Sequence, residues 1–238
     1  MEEYRGKDTR LGGSGLLAAS SQLTYFEEGY PLWYIRGYQL DGIDPQTGAP
    51  IYHDFDGVDG ISEADRTDLG SAIPDFTYGI TLTAAYKGFD LSIYGTGASG
   101  NKLVYGMMST SDQVWNNRPQ FLYEGRWTSA GSAATMPSAQ YQIYDPRFYN
   151  SNAFVFDASF FKIKQIQFGY TLPKNLLQKI GIETVRTFVS LDNFFTFTDY
   201  PGSDPEVNGS GSAYSALAID YGGYPMSKSV SFGVNVSF

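Results

Sequence analysis

The ten residues that close the sequence restrict its fold more than any other feature. From Ser229 to Phe238 the side chains alternate strictly, with Val230, Phe232, Val234, Val236 and Phe238 on one side and Ser229, Ser231, Gly233, Asn235 and Ser237 on the other. A period of two is the signature of an extended strand with one apolar and one polar face, and no helix tolerates it. The same pattern runs through Phe76–Lys87, where Phe76, Tyr78, Ile80, Leu82, Ala84 and Tyr86 oppose Thr77, Gly79, Thr81, Thr83, Ala85 and Lys87. A tight turn at Gly88 leads to Phe89, Leu91 and Ile93 alternating with Asp90, Ser92 and Tyr94, which predicts a hairpin. Ile166, Phe168, Tyr170 and Leu172 share a face, as do Val185, Val189 and Leu191. Weaker candidates at 15–26 and 32–40 bring the expected count to about seven strands.

The connections carry a second regularity. They are short at 27–30, at 88 and at 173–183, and long at 42–75, 98–159 and 195–227. If each strand reverses direction, all long connections emerge at one end, the asymmetry of a bacterial outer-membrane barrel with short periplasmic turns and long extracellular loops. Pro173 is placed to open one helical turn through Leu176, Leu177 and Ile180, and Gly181 to end it.

An open sheet of such strands cannot sit in lipid, because each unpaired N–H or C=O at an edge costs several kcal/mol in hydrocarbon. Either further strands close the sheet into a barrel, or the apolar faces meet in a soluble sandwich. Two observations favour the barrel. Long structureless connections are uncommon in compact soluble domains, and a sandwich has no evident reason to finish on an apolar aromatic. No stretch reaches the roughly 18 apolar residues of a spanning helix, and Met1–Arg5 lack the form of a secretion signal, so the sequence reads as cytoplasmic or as part of a longer chain.

Composition narrows the chemistry. Twenty-five acidic residues against 16 basic ones argue against nucleic acid as a partner. Without cysteine and with one histidine, the chain has no thiolate nucleophile, no disulfide and little from which to build a catalytic dyad. The expectation is a protein that is not an enzyme.

Several blocks together resemble one family, the SusC/RagA-type TonB-dependent outer-membrane transporters of Bacteroidetes-like bacteria. They are Gly37–Tyr38 with Asp41–Ile43, the acidic run 54–65, Pro74–Phe76 with Tyr86–Leu91, Ser159–Lys164 leading to Gly169–Pro173, Arg186–Ser190, Asp192–Thr198 with Tyr200 and Gly202, Asp204–Val207, and Tyr224–Pro225 before the closing strand. The blocks occur in the family's order from about residue 30 onward. The resemblance implies an all-β fold, an antiparallel transmembrane β-barrel segment in which residues 1–238 supply the C-terminal part of a roughly 22-stranded barrel whose plug and earlier strands are absent. It also implies import of a glycan or peptide nutrient across the outer membrane, with TonB engaged through the missing N-terminal part and a SusD-like lipoprotein as lid. Phe232, Val234, Val236 and Phe238 resemble the signal by which the barrel-assembly machinery recognises its clients. The alternatives are a soluble or secreted all-β glycan-binding module and, more remotely, a β-rich glycosidase, for which no single carboxylate pair stands out.

Within the acidic extracellular loop at 42–75, eight carboxylates face one Arg66. Asp54, Asp56, Ile61 and Asp65 fall at positions one, three, eight and twelve of an EF-hand-type loop, a spacing that wraps oxygens around calcium. Val58 at position five, Asp59 where glycine is required and the short Asp65 depart from that pattern. Asp54, Asp56, Asp59 and Asp65 are the candidate calcium ligands, the only cofactor expectation, against a solvated acidic loop. Trp115, Trp127 and Tyr123, from the longest loop, are the candidate sugar platforms. Gly95–Gly100 spells a dinucleotide fingerprint, but no amphipathic helix follows it and no acidic residue stands where the ribose would need one. His53 beside Asp54 reads as incidental.

Overall fold

The computed structural model describes residues 23–25, 27, 29–31, 34–106, 119–177, 181–206 and 218–238. In chain order the strands are β1 (Thr24–Tyr25), β2 (Tyr34–Tyr38), β3 (Leu40–Ile43), β4 (Pro50–Tyr52), β5 (Arg66–Ser71), β6 (Phe76–Tyr86), β7 (Phe89–Ser99), β8 (Lys102–Tyr105), β9 (Val155–Asp157), β10 (Phe160–Thr171), β11 (Thr184–Thr198), β12 (Ile219–Asp220) and β13 (Ser229–Ser237). Three short helices join them, α1 (Ala139–Tyr144), α2 (Pro146–Tyr149) and α3 (Lys174–Leu177). The chain divides into two compact units, one made of 74–100, 159–199 and 225–238, the other of 1–73, 101–158 and 200–224.

The first unit is a single antiparallel sheet in the order β13-β11-β10-β7-β6. Its five strands are the five that alternate most clearly in sequence. β6 and β7 turn over Lys87 and Gly88, both at positive φ, the left-handed pair that matches the twist of a two-residue hairpin. Between β10 and β11 the predicted helical turn is α3, and Gly181 follows at φ 71°. The register fixes the faces. Leu82, Ile93, Ile166, Leu191 and Val230 form one row across all five strands, and Ala84, Leu91, Phe168, Val189 and Phe232 form the next.

One irregularity keeps that face continuous. Ile163 and Ile166 differ in parity, so a plain strand would turn them to opposite sides. A bulge between Ile163 and Gln165 absorbs one residue, which leaves Ile163 and Phe161 on the same side as Ile166, paired with Gly95 and Gly97 of β7.

The expectation of about seven spanning strands needs correction for its two weakest members. Tyr34–Tyr38, from the 32–40 candidate, is only five residues long, about half the nine to eleven a spanning strand needs. It lies in the second unit, with Tyr34, Ile35 and Tyr38 all buried. Of the 15–26 candidate, residues 23–25 are described, and Thr24–Tyr25 pair with Tyr34–Ile35 in that same unit.

The second unit is built from the long connections. It contains the three-stranded sheet β1-β2-β5, the hairpin β3-β4 and the sheet β12-β8-β9, whose β12-β8 pair is parallel. Its core is of an ordinary kind: Leu23, Ile35, Leu103, Leu122, Phe148, Phe154 and Ile219 are each at most 2% exposed. Phe148, Tyr149 and Phe154 meet at 5.0–5.3 Å between ring centres, the near-perpendicular Phe148–Phe154 pair among them, which suits the ring quadrupoles.

Candidate functional site

The two faces of the five-stranded sheet differ in kind. On the apolar face an aliphatic band lies between two aromatic rows. At the end with the short turns, Phe89 packs on Tyr170 at 4.5 Å and on Phe168 at 5.7 Å, beside Tyr86. At the other end Tyr78, Phe161 and Phe197 stack across strands at 6.0 and 6.3 Å. Gly95 and Gly97 make the second ladder possible, since a Cβ on either would stand 2.6 Å from Phe161 or 2.3 Å from Tyr78. The dinucleotide-like run therefore serves ring packing, and no helix follows it, because Lys102–Tyr105 is β8. From Tyr78 to Tyr86 is about 27 Å of strand. At a tilt near 40° that covers about 20 Å of depth, close to the apolar band of an outer-membrane barrel. This face is open: Leu82 is 62% and Phe232 72% exposed.

The opposite face is polar and cross-linked. Arg186 of β11 donates from Nε to Asp90 Oδ1 of β7 at 2.9 Å and from Nη2 to the other carboxylate oxygen, passing over β10 between them. It also donates to Gln167 Oε1 at 3.2 Å. Gly169 is the notch, for a Cβ there would lie 2.5 Å from the guanidinium and 2.6 Å from the carboxylate. Farther along, Asp192 accepts from Gln165 and Ser190. Sequence reading missed this strut. A glycine inside the last turn-proximal residues of a strand, which marks a close approach, was the available signal.

The acidic loop is organised around Asp65. Its buried carboxylate accepts from the N–H groups of Phe55 (2.9 Å), Asp56 (3.3 Å) and Ser62 (2.7 Å), and Ser62 Oγ accepts a capping bond from the Ala64 N–H. Those backbone donors hold the Asp65 carboxyl below the ordinary aspartate value, the Ser62 N–H foremost, with burial opposing them. One oxygen each of Asp54, Asp56 and Asp65 lies within 4.8 Å of the others. Asp59, the fourth candidate, is outside this group. Asp54 and Asp56 are exposed and close local turns onto Gly57 and Val58. Calcium takes six to eight oxygens, so two exposed carboxylates and one already bonded to three amides supply only part of such a shell.

Of the candidate sugar platforms, Trp115 lies outside the described residues. Trp127 is engaged structurally: its Nε1 donates to Pro45 O at 2.9 Å and its ring covers Gly48, which has φ 70° and no room for a side chain. It clamps the β3–β4 hairpin. Tyr123 is half exposed and carries Arg126 over its ring at 5.2 Å. His53 is bonded through Nδ1 to Asp41 at 2.8 Å, which lowers the Asp41 pKa. Phe232, Val234 and Val236 pair with Val189, Thr187 and Val185, and Phe238 follows them, exposed.

No protein-family model matches the chain. Curated relatives do. It is 29% identical over 237 residues to TonB-dependent receptor P3 of Formosa agariphila, covering 91% of this chain and 23% of that protein. It is 30% identical to TonB-dependent receptor P26 of the same organism (82% and 20%), and 28% identical to TonB-dependent receptor SusC of Bacteroides thetaiotaomicron (84% and 19%). A solved structure of the RagAB peptide transporter matches with a TM-score of 0.74 and 25% identity over 91% of this chain and 24% of that one. Over most of its length the chain is similar to TonB-dependent receptors, SusC among them, and to the RagAB transporter. It spans about a quarter or less of the length of the relatives it matches. The five-stranded sheet is a segment of such an all-β barrel fold. These relatives are receptors and not enzymes, in line with the expectation for this chain.

Proposed function

We propose that this chain forms part of the wall and outer loops of an outer-membrane, TonB-dependent nutrient importer of Bacteroidetes-like bacteria. The apolar face meets lipid and the polar face lines the lumen. One observation carries the reading: an aliphatic band bounded by two aromatic rows runs unbroken across five registered strands and is open to its surroundings. Among the described residues β6 and β13 each pair on one side only, so in lipid both edges need further strands. The cargo is a glycan or a peptide, and a peptide is what the similar RagAB transporter carries. A SusD-like lipoprotein, the TonB complex and the barrel-assembly machinery are the partners this reading requires.

A soluble sandwich would need a second layer over the apolar face, and exposures of 51–72% at Leu82, Val230, Phe232 and Val234 give it none. These 238 residues contain no cysteine, so, once any cysteine elsewhere in the full-length receptor is replaced, alternate positions can be probed one at a time in outer membranes. Leu82→Cys should react with a lipid-soluble maleimide and Thr83→Cys with a water-soluble one. Equal reaction of both positions with the water-soluble reagent sinks the barrel-wall reading. Asp54, Asp56 and Asp65 are the residues a calcium ion would use. Protection of this loop from protease when calcium is returned to a chelator-treated receptor tests that proposal, and unchanged cleavage removes it.

A further inference from the structure

We propose that Asp59–Gly60 in the acidic loop is a site of spontaneous covalent modification, at which the peptide bond migrates from the main-chain carbonyl of Asp59 to its side-chain carboxyl and leaves an isoaspartyl linkage. The inference is independent of the import reading, since the chemistry needs only this loop and water. Three aspartates in the chain are followed by glycine: Asp41–Gly42, Asp56–Gly57 and Asp59–Gly60. Glycine matters because the reaction begins when the amide nitrogen of the following residue attacks Cγ of the aspartate, and a side chain on that residue crowds the approach. All three aspartates are exposed, so exposure does not rank them. Their hydrogen bonds do.

At Asp41 the carboxylate is engaged. It accepts from Gln39 Nε2 at 3.0 Å and lies 2.8 Å from His53 Nδ1, and Gly42 is paired with Ile51 in the β3–β4 hairpin. At Asp56 both reacting groups are engaged. The Gly57 N–H donates to Asp54 Oδ1 at 2.6 Å, and Asp56 Oδ1 accepts from the Val58 N–H at 2.8 Å. A bonded N–H must first open before its nitrogen can attack. Asp59 differs. Neither its carboxylate nor the Gly60 N–H has a hydrogen-bond partner among the described residues, and a Cβ at Gly60 would meet nothing within 4 Å. Gly60 stands at φ 97°, a conformation glycine adopts readily and other residues do not, so the backbone itself keeps the permissive residue in place. The Asp65 carboxylate ties Phe55, Asp56 and Ser62 together, and Asp59 is the middle of the 57–61 span between those tied ends.

The atoms balance without an added reagent. The Gly60 nitrogen loses its proton and bonds to Cγ of Asp59, while one carboxyl oxygen leaves as water, carrying that proton and one from solvent. The product is a cyclic imide. Water then adds to the main-chain carbonyl of Asp59 and its C–N bond breaks. Gly60 is left linked through Cγ, the main-chain carbonyl has become a carboxylate, and the borrowed proton returns to solvent. One water is lost and one regained, so mass and charge are unchanged. The span between the tied ends is longer by one carbon, and the loop held by Asp65 must loosen to accommodate it.

The test ages the full-length receptor in outer membranes at neutral pH and maps its peptides by electron-induced fragmentation, which separates isoaspartate from aspartate at equal mass. Isoaspartate should accumulate at Asp59 about tenfold or more faster than at Asp56, the scale of one hydrogen bond to a charged acceptor. Asp54→Ala, which removes the acceptor of the Gly57 N–H, should raise the Asp56 rate toward that of Asp59. In urea, where these bonds are lost, the three sites should react alike. Any isoaspartate formed at Asn208–Gly209 by loss of ammonia carries a mass change and is told apart by it. Should Asp54→Ala fail to assemble, the comparison of native and urea-treated receptor decides alone. The proposal is overturned if the aged receptor shows no isoaspartate at Asp59, if Asp56 keeps pace with Asp59 in the native receptor, or if Asp54→Ala leaves Asp56 unreactive. A lead of Asp59 that persists unchanged in urea overturns it as well, because local sequence and not the fold would then set the rate.

Discussion

The two units treat the same kinds of side chain in opposite ways. In the loop-built unit Phe148 and Phe154 are fully buried, whereas in the five-stranded sheet Phe232 is 72% and Leu82 62% exposed. One part hides its hydrocarbon from water and the other presents it outward, which in the proposed barrel wall means toward lipid. The comparison teaches that burial cannot rank the importance of residues here. An exposed Leu82 and a buried Phe154 both satisfy the hydrophobic effect, one through lipid and one through its neighbours.

The largest effect should come from breaking the buried side. Phe154→Ala should cost the loop-built unit about 3–5 kcal/mol through lost transfer energy and a cavity. Limited proteolysis of the full-length receptor should show faster cleavage within 101–158, while the heat-modifiable electrophoretic shift of the barrel stays unchanged. Loss of both together would mean that the units fold as one.

Next comes the exposed side. Leu82→Arg should cost about 2–4 kcal/mol at mid-depth in a bilayer, whereas Thr83→Arg on the polar face should cost far less. Denaturant titration of the receptor in lipid vesicles measures both. If the two substitutions cost the same, the faces have been assigned wrongly.

A smaller effect should follow from the strut on the polar face. Asp90→Asn should lose about 1 kcal/mol, a partly exposed and screened pair being worth no more. The exchange Asp90→Arg with Arg186→Asp should recover part of it, as a double-mutant cycle would show. Gly169→Val, by contrast, has no space and should separate Asp90 from Arg186 even though it removes no charge.

The smallest effect should be that of pH on the acidic loop. Asp65 is held below the ordinary aspartate value, near 4. Its contribution is present in full above that value and is lost as pH falls through the lower value of the folded state. Hydrogen exchange at Phe55, Asp56 and Ser62 should rise in that acid window. In Asp65→Asn the exchange should be fast throughout. The apolar face of the sheet carries no carboxylate and should show no such dependence.

This contrast also explains what could be read from sequence. The sheet was legible because a strand with two different surroundings writes them in alternate residues, as Phe76–Lys87 and Ser229–Phe238 do. Its bulge at Lys164 was not, since alternation simply breaks there and only the partners of Ile163 and Gln165 show how it resumes. The 32–40 segment reads as a strand and its middle is one, yet both ends of Tyr34–Tyr38 are buried in a core that has no period. At the candidate sites the contacts that could not be read share a cause. Trp127 and Pro45 are 82 residues apart, and Asp90 and Arg186 are 96 apart. Nothing local marks Trp127 as the residue that holds the β3–β4 hairpin. The Asp54–Asp65 spacing did bring three of four carboxylates near one another, because turn-forming acids at short range largely determine their own geometry.

The Gly169 notch makes the wall intolerant of misthreading. A strand seated one residue out of step would turn Arg186 toward acyl chains and strand Asp90 without its counter-charge. Seated two residues out, it would drive the guanidinium into a neighbour that has a side chain. A wrongly threaded wall is therefore penalised at the end with the short turns, where each hairpin begins.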